Sequence, residues 1–214
     1  MGCAPTPAET GDNLRVGQTV RAGDRIATLG RSSNTRQGIS KERAHVHFEL
    51  GFLVNDRFST WYQETLPGQR NDHGAWNGQN LLGLDPRLIL LSQAKLESQF
   101  SLLKFVRQQT ELCRVLVRDT RFPWLKRYPA LIRRNPVADR EGVAGFELAL
   151  DYNGVPFQLV PKAPSEIPSS AKFQLVSVNE PEALKHPCRH LVNRKGGHWE
   201  LGPRGVQLLG RLTY

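Results

Sequence analysis

The chain has 214 residues, of which 39% are hydrophobic and 23% are charged, and its 29 basic and 20 acidic residues give a formal net charge of +9. This length can bury a sizeable core in one or two domains, and the spread of apolar residues excludes an intrinsically disordered chain. No apolar run approaches the roughly 18 residues of a membrane span, so we predict no transmembrane segment.

The basic excess favours anionic partners, among them nucleic acid, teichoic-type polymers and anionic lipid. Basic residues are nowhere interleaved with aromatic residues in the way that single-stranded nucleic acid binding requires, and we therefore expect no nucleic-acid partner. The three cysteines, Cys3, Cys113 and Cys188, are odd in number and far apart. They predict neither a disulfide framework nor a structural zinc site.

In chain order, a segment of small residues over 1–12 precedes two predicted strands, at 14–21 and 24–30, which surround tight glycine turns. A polar loop rich in serine, asparagine, arginine and glycine follows at 31–43. The next run, 44–53, alternates in polarity and predicts a third strand.

His45 and His47 are two residues apart in this third predicted strand. On a strand their imidazoles would share one face, about 6.6 Å apart, while Val46, Phe48 and Leu50 would point into a core. One imidazole nitrogen can then hold a metal while the other reaches a metal-bound water or a substrate oxygen. The alternative is that both histidines are ordinary surface or pocket residues.

The order of these features is V-G-Q-T-V-R-A-G-D-R-I-A-T-L-G over residues 16–30, then the polar loop, then H-V-H-F-E over residues 45–49. This order resembles the lysostaphin/LytM-type zinc endopeptidases, which cut peptidoglycan cross-bridges. The resemblance runs from about Asn13 to Phe58 and covers roughly the second half of such a domain.

In that family the second histidine of H-x-H binds zinc and the first assists at the metal-bound water. The resemblance therefore implies that His47 is a zinc ligand, that His45 is catalytic, and that zinc is the cofactor. It also implies peptidoglycan or a cell-wall peptide as the substrate, and a place in the cell envelope, periplasmic or extracellular. The sequence itself shows no secretory signal peptide.

The family's other two zinc ligands, a histidine and an aspartate, lie upstream of the glycine turns. In this chain no histidine precedes His45, and the carboxylates before the polar loop are Glu9, Asp12 and Asp24. A catalytic zinc site needs about three protein ligands. We therefore expect residue 1 to lie inside a longer ancestral domain, and the zinc site to be incomplete in this chain.

Beyond the resemblance, residues 61–85 are rich in glycine, asparagine and glutamine, which predicts a connecting loop. His73 in this loop is the next candidate metal ligand. Asp85-Pro86 is typical of a helix start, and apolar residues at helical spacing predict one helix over 86–109.

Residues 110–214 predict a small β-rich module without a catalytic constellation, in which His186, His190 and His198 are surface residues. Asn153-Gly154 predicts a type I′ hairpin, and the proline-containing basic stretch 121–140 predicts irregular structure. Strands are predicted from 113 to 117, on both sides of Asn153-Gly154, and at 172–178, 190–193, 198–201 and 206–212.

Together these elements predict a mainly β chain of the α+β class. A partial LytM-type β-sandwich or barrel-like sheet is followed by one long helix and the β-rich module. The predicted bounds are 1–60 for the metallopeptidase-like domain, 61–85 for the connecting loop, 86–109 for the helix and 110–214 for the module.

Two other functions stay open on the same sequence. The first is a non-catalytic relic or binding module that keeps the β-scaffold without zinc. The second is a biotinyl- or lipoyl-type carrier, whose glycine and valine pattern is similar. A carrier needs a modified lysine at a hairpin tip, and Lys41, in the polar loop, is the nearest lysine.

Overall fold

The computed structural model describes residues 14–15, 17–31 and 38–214. The chain divides into two compact units, Met1–Glu49 and Leu50–Tyr214. The predicted segment 1–12, with Cys3 and the carboxylates Glu9 and Asp12, lies outside the described residues. The described chain is of the α+β class, with antiparallel sheets and short helices, and it contains no closed barrel.

The two predicted glycine turns are present in the first unit. Gly17 and Gly23 have φ values of 86° and 93°, which only glycine adopts without strain. In the second turn the Asp24 amide donates to the Arg21 carbonyl at 3.1 Å, and the Asp24 carboxylate accepts from the Arg21 amide at 2.7 Å.

The strands predicted around these turns are not formed in the described residues, where Ala27 alone makes an isolated bridge. The side chains that would have packed inward are open instead, with Val20 43%, Ile26 60% and Leu29 50% exposed. The period-two pattern is real, but a strand needs a neighbouring strand and a surface to cover its apolar side.

The predicted strand 44–53 forms only over its last residues. Strand β1, Leu50–Leu53, pairs antiparallel with β2, Leu81–Leu84. Residues 44–49 have no strand structure, and a short 3-10 turn at Lys41–Arg43 precedes them. The expectation that Val46 and Phe48 face a core is wrong, because they are 77% and 60% exposed.

The connecting segment 61–85 contains more regular structure than predicted. Helix α1, Phe58–Thr65, buries Phe58, Trp61 and Tyr62 against one another. Two 3-10 turns then lead into β2, which is the partner of β1. These aromatic residues supply enough apolar surface to stabilise a helix, although the segment as a whole is rich in glycine and asparagine.

The single helix predicted over 86–109 is two helices. Asp85 caps α2, Pro86–Leu96, as predicted, with its Oδ1 accepting from the Arg87 amide at 2.8 Å. The helix ends where Glu97 takes a φ of 46°, and α3, Leu102–Arg107, begins after Ser101 caps it. The apolar stripe continues past the break, and for this reason the periodicity predicts one helix instead of two.

The central element is a four-stranded antiparallel sheet with the order β5-β4-β3-β6. Its strands are β3 at Cys113–Val117, β4 at Gly145–Leu150, β5 at Pro156–Lys162 and β6 at Phe173–Val178. Residues on both faces are buried, so the sheet is covered on each side. The fully buried members of its core include Val115, Val117, Trp124, Leu148, Leu150, Leu159, Leu209 and Leu212.

The prolines of the basic stretch 121–140 start helices where irregular structure was predicted. Helix α4, Pro123–Arg127, and helix α5, Pro136–Glu141, each have proline in the first turn. Proline is favourable there because the first helical amide has no partner within the helix. Helix α6, Glu180–Lys185, has a proline in its first turn as well.

The predicted hairpin around Asn153-Gly154 is confirmed, but not its turn type. Gly154 has a φ of 84°, while Asn153 has no positive φ, as a type I′ turn would require. The Asp151 side chain organises the turn, and its Oδ1 accepts from the amides of Asn153 and Val155 at 2.9 and 2.8 Å.

The last predicted strand, 206–212, is a helix. Strands β7, Val192–Lys195, and β8, His198–Leu201, form the expected hairpin. Helix α7 then runs over Pro203–Leu212 and buries Gly205, Leu208, Leu209 and Leu212. Buried residues at three- and four-residue spacing are typical of a helix, whereas a strand would bury every second residue.

The C-terminal residues contact the beginning of the second unit. The Asn55 side chain donates to the Arg211 carbonyl at 2.7 Å, and the Tyr214 hydroxyl donates to Glu64 at 2.7 Å. Of the helices in the described chain, none combines the length and apolar character needed to cross a membrane.

Candidate functional site

The structure brings the rings of His45 and His47 together. Their centroids lie 4.7 Å apart with the planes 27° from parallel, and the two Nε2 atoms are 2.8 Å apart. The two rings lie side by side even though residues 44–49 form no strand. Their Nε2 atoms are therefore closer than the 6.6 Å that we predicted between the imidazoles on a strand.

Hydrogen bonds determine which nitrogens carry protons. His45 Nδ1 lies 2.7 Å from the Arg43 carbonyl, which can only accept, so Nδ1 is the donor. His47 Nδ1 lies 3.3 Å from a carboxylate oxygen of Glu49, which also accepts. In their neutral forms both histidines therefore present an Nε2 lone pair to the other ring. Two such nitrogens attract each other only through a shared proton or a cation.

This arrangement has the chemical character of a pair of metal ligands. A metal-binding histidine commonly donates its other ring N–H to a carboxylate or a backbone carbonyl, as His47 and His45 do here. Tetrahedral zinc with Zn–N distances of about 2.0–2.1 Å requires about 3.3 Å between two ligand nitrogens. The two Nε2 atoms would need to separate by about half an ångström. Both residues are exposed, so no packed core resists that movement.

The number of donors is the weak point of the site. Within residues 14–15, 17–31 and 38–214, no group of three or more histidine, cysteine, aspartate and glutamate side chains could hold a metal. Glu49 contacts His47 Nδ1, so its carboxylate orients that ring and is not placed as a third donor. The residues therefore match zinc in type but not in number, and no catalytic step can be derived from them.

The other candidates have different surroundings. His73 belongs to the second unit and precedes the 3-10 turn Gly74–Trp76. His186, predicted to lie at the surface, is half-buried: its ring stacks on Tyr152 at 4.1 Å and its Nε2 lies 3.2 Å from Glu182. Lys41 begins a 3-10 turn, which is not the hairpin tip that a carrier lysine requires.

Comparisons with protein families, with characterised proteins and with solved structures found no match to this chain.

The contacts of Glu49 and of the Arg43 carbonyl with the two histidine rings were not predicted from the sequence. Glu49 could have been found, because it follows His47 at the same two-residue spacing that joins the histidines. The carbonyl contact depends on the 3-10 turn and has no signature in the sequence.

Proposed function

We propose that the segment from about Asn13 to Phe58 is part of a zinc-dependent endopeptidase of the lysostaphin/LytM type, acting on peptidoglycan cross-bridges in the cell envelope. The observation that carries the proposal is the convergence of the two Nε2 atoms of His45 and His47 at 2.8 Å, each ring held by an acceptor at Nδ1. The resemblance of the glycine turns and of the H-V-H-F-E run to the lysostaphin/LytM type supports this choice of family. The formal charge of +9 suits an anionic cell wall.

His47 is the proposed zinc ligand, and Glu49 would fix its ring orientation through Nδ1. His45, held by the Arg43 carbonyl, presents an unprotonated Nε2 beside this ligand, which is the form that a proton acceptor requires. Zinc, when bound, polarises the scissile carbonyl and lowers the pKa of water. Further metal ligands would have to come from outside the described residues.

Apolar exposure in the first unit also supports the proposal. Val20, Ile26, Leu29, Val46 and Phe48 are all more than two-fifths exposed, although their alternation is that of strands. A soluble protein rarely leaves such a set uncovered. A sheet that is completed by further strands would cover these residues, and would hold the histidines on one surface.

The decisive test is zinc stoichiometry measured on the full chain. After dialysis against zinc and removal of excess metal, the proposal requires about one zinc per chain by mass spectrometric metal analysis. His47→Ala should lose this zinc, whereas His198→Ala, which removes another exposed histidine, should keep it. Zinc at background level in the unaltered chain would refute the proposal for this protein.

The second candidate is a non-catalytic relic or binding module on the same scaffold. The observation that favours it is the donor count, because the described residues provide two converging nitrogens where a catalytic site needs about three ligands. It predicts that the chain sediments with purified peptidoglycan equally well with and without a chelator, and releases no peptide fragments. Binding that disappears with the chelator would favour the enzyme.

A further inference from the structure

The second unit contains a cleft of about 610 Å³ that is lined by three arginines from the last quarter of the chain. Strand β2 and the turn between β4 and β5 form its other walls. We call it the arginine cleft, and its charged and aromatic members are Arg189, Arg204, Arg211, Tyr152 and Asp85.

Arg211 is the unusual member, because it is 9% exposed and has no acidic partner among the ion pairs of the described chain. Its Nε is buried without a hydrogen-bond partner, and its guanidinium lies 5.7 Å from the centroid of the Trp61 ring. Burial lowers the pKa of Arg211 to about 10. Buried arginines are normally paired, so an unpaired one that lines a cleft is suited to bind an anion.

The other two arginines contact neutral groups and form no ion pair among the described residues. Arg204 donates to the Cys188 carbonyl at 3.3 Å and lies two turns before Arg211 on the same face of α7. The Arg189 guanidinium is 5.5 Å from the centroid of Tyr152, whose ring is in turn stacked on His186.

Acidic groups do not neutralise the cleft. Asp85 lines it, but its Oδ1 already accepts from the Arg87 and Leu88 amides as the cap of α2. Asp151, which interacts electrostatically with Arg189, is buried beneath the turn and does not line the cleft. Among the residues that line the cleft, three arginines and one aspartate therefore give an excess of two positive charges.

We propose that the arginine cleft binds a dianionic phosphate group, either free or as the monoester of a small polar molecule. Guanidinium groups match phosphate oxygens in bidentate geometry, and a dianion balances the two excess positive charges. The cleft exceeds the volume of a phosphate ion, which leaves room for an organic portion along β2. The proposal does not depend on the histidine pair, which belongs to the first unit, and it does not depend on zinc.

Calorimetric titration at constant ionic strength tests the ligand. Inorganic phosphate and glycerol 3-phosphate are the probes for the free and esterified sources, with succinate and acetate as carboxylate comparators. We expect saturable 1:1 binding of at least one phosphate, about tenfold tighter than succinate, and no saturation with acetate. Tighter binding of the ester would assign the organic source. Succinate binding as tight as phosphate, or no saturable phosphate binding, would overturn the proposal.

Arg204→Gln and Arg140→Gln form a matched pair for the site. Both remove one positive charge from an exposed position, and only Arg204 lines the cleft. We expect Arg204→Gln to weaken phosphate binding by at least about fivefold and Arg140→Gln to change it by less than about twofold. Equal weakening by both variants would mean general charge attraction and would overturn the site.

Arg211→Met distinguishes a ligand-binding residue from a structural one. In phosphate-free buffer this variant should unfold at a temperature no lower than the unaltered protein, because it removes an unpaired buried charge. Phosphate should raise the unfolding temperature of the unaltered protein and leave that of the variant unchanged. A phosphate-dependent rise that persists in Arg211→Met would contradict the assignment.

Discussion

The Asn80 side chain hydrogen-bonds both backbone groups of Asn55 inside the second unit. The Asn55 amide donates to Asn80 Oδ1 at 2.9 Å, and Asn80 Nδ2 donates to the Asn55 carbonyl at 2.8 Å. Both residues are fully buried. Asn80 also donates to the Ala75 carbonyl at 2.8 Å, so a single amide satisfies three groups of an irregular segment.

Asn80→Ala should therefore destabilise the second unit by about 3 kcal/mol, because it leaves the buried amide and carbonyl of Asn55 and the half-buried carbonyl of Ala75 unpaired. The measurement is the free energy of unfolding from urea titration followed by tryptophan fluorescence. Gln79→Ala, at the neighbouring exposed position, is the control and should change this free energy by less than about 0.5 kcal/mol. Similar losses in both variants would show that the asparagine network contributes little.

Asp151 makes stability depend on pH. Burial raises the pKa of Asp151 to about 6 from an ordinary 3.8, although backbone hydrogen bonds to the carboxylate oppose this. The folded state then binds the proton more tightly than the unfolded state. This contribution is fully present below about pH 4 and is lost as the pH rises to about 6. The loss is about 3 kcal/mol.

Asp151→Asn should remove that dependence, because an amide does not titrate. Relative to the unaltered protein, the free energy of unfolding of the variant should rise by about 3 kcal/mol between about pH 4 and about pH 7. Urea titrations of both proteins at several pH values measure the difference directly. A difference that stays flat over this range would assign the pH dependence to other groups.

Gly205 lies where helix α7 contacts the backbone of Leu191, and a Cβ at this position would overlap the Leu191 carbonyl. Gly205→Ala should destabilise the protein by about 1–3 kcal/mol, against the usual gain from alanine in a helix. Gly210→Ala is the matched control in the same helix, because its Cβ would meet nothing within 4 Å. It should stabilise the protein by about 0.5–1 kcal/mol. Thermal unfolding of both variants gives the comparison.

The cysteines of the second unit should differ in reactivity. Burial raises the pKa of the Cys113 thiol to about 12, and its side chain is fully buried in β3. Cys188 is exposed. Maleimide labelling at neutral pH followed by peptide mass spectrometry should modify Cys188 and leave Cys113 intact until denaturant is added. Labelling of Cys113 in native buffer would mean that the sheet opens locally.

The sequence predicted those elements whose signals are local. The strands on both sides of Asn153-Gly154 and the capped start at Asp85 were found because their residues act on neighbouring backbone. Helix α7 was missed because Val206, Leu208 and Leu212 also fit alternation over a short run. The break at Glu97 was missed because its positive φ carries no composition signal.

The histidine pair could be predicted from local sequence, whereas the arginine cleft could not. His45 and His47 are two residues apart, so their proximity follows from any extended backbone. Arg189, Arg204 and Arg211 meet β2 across more than a hundred residues of chain, and this meeting depends on the packing of α7. Nothing in the basic composition distinguished these arginines from those that face solvent.

The contacts of Asn55 and Glu64 with Arg211 and Tyr214 have a consequence for protein synthesis. Each joins residues 150 or more positions apart, so the earlier partner leaves the ribosome long before the later one. During that interval Phe58, Trp61 and Tyr62 lack the contacts that Arg211 and Tyr214 make with them. Ribosome-bound chains halted before α7 should therefore expose this segment to protease, and completion of α7 should protect it.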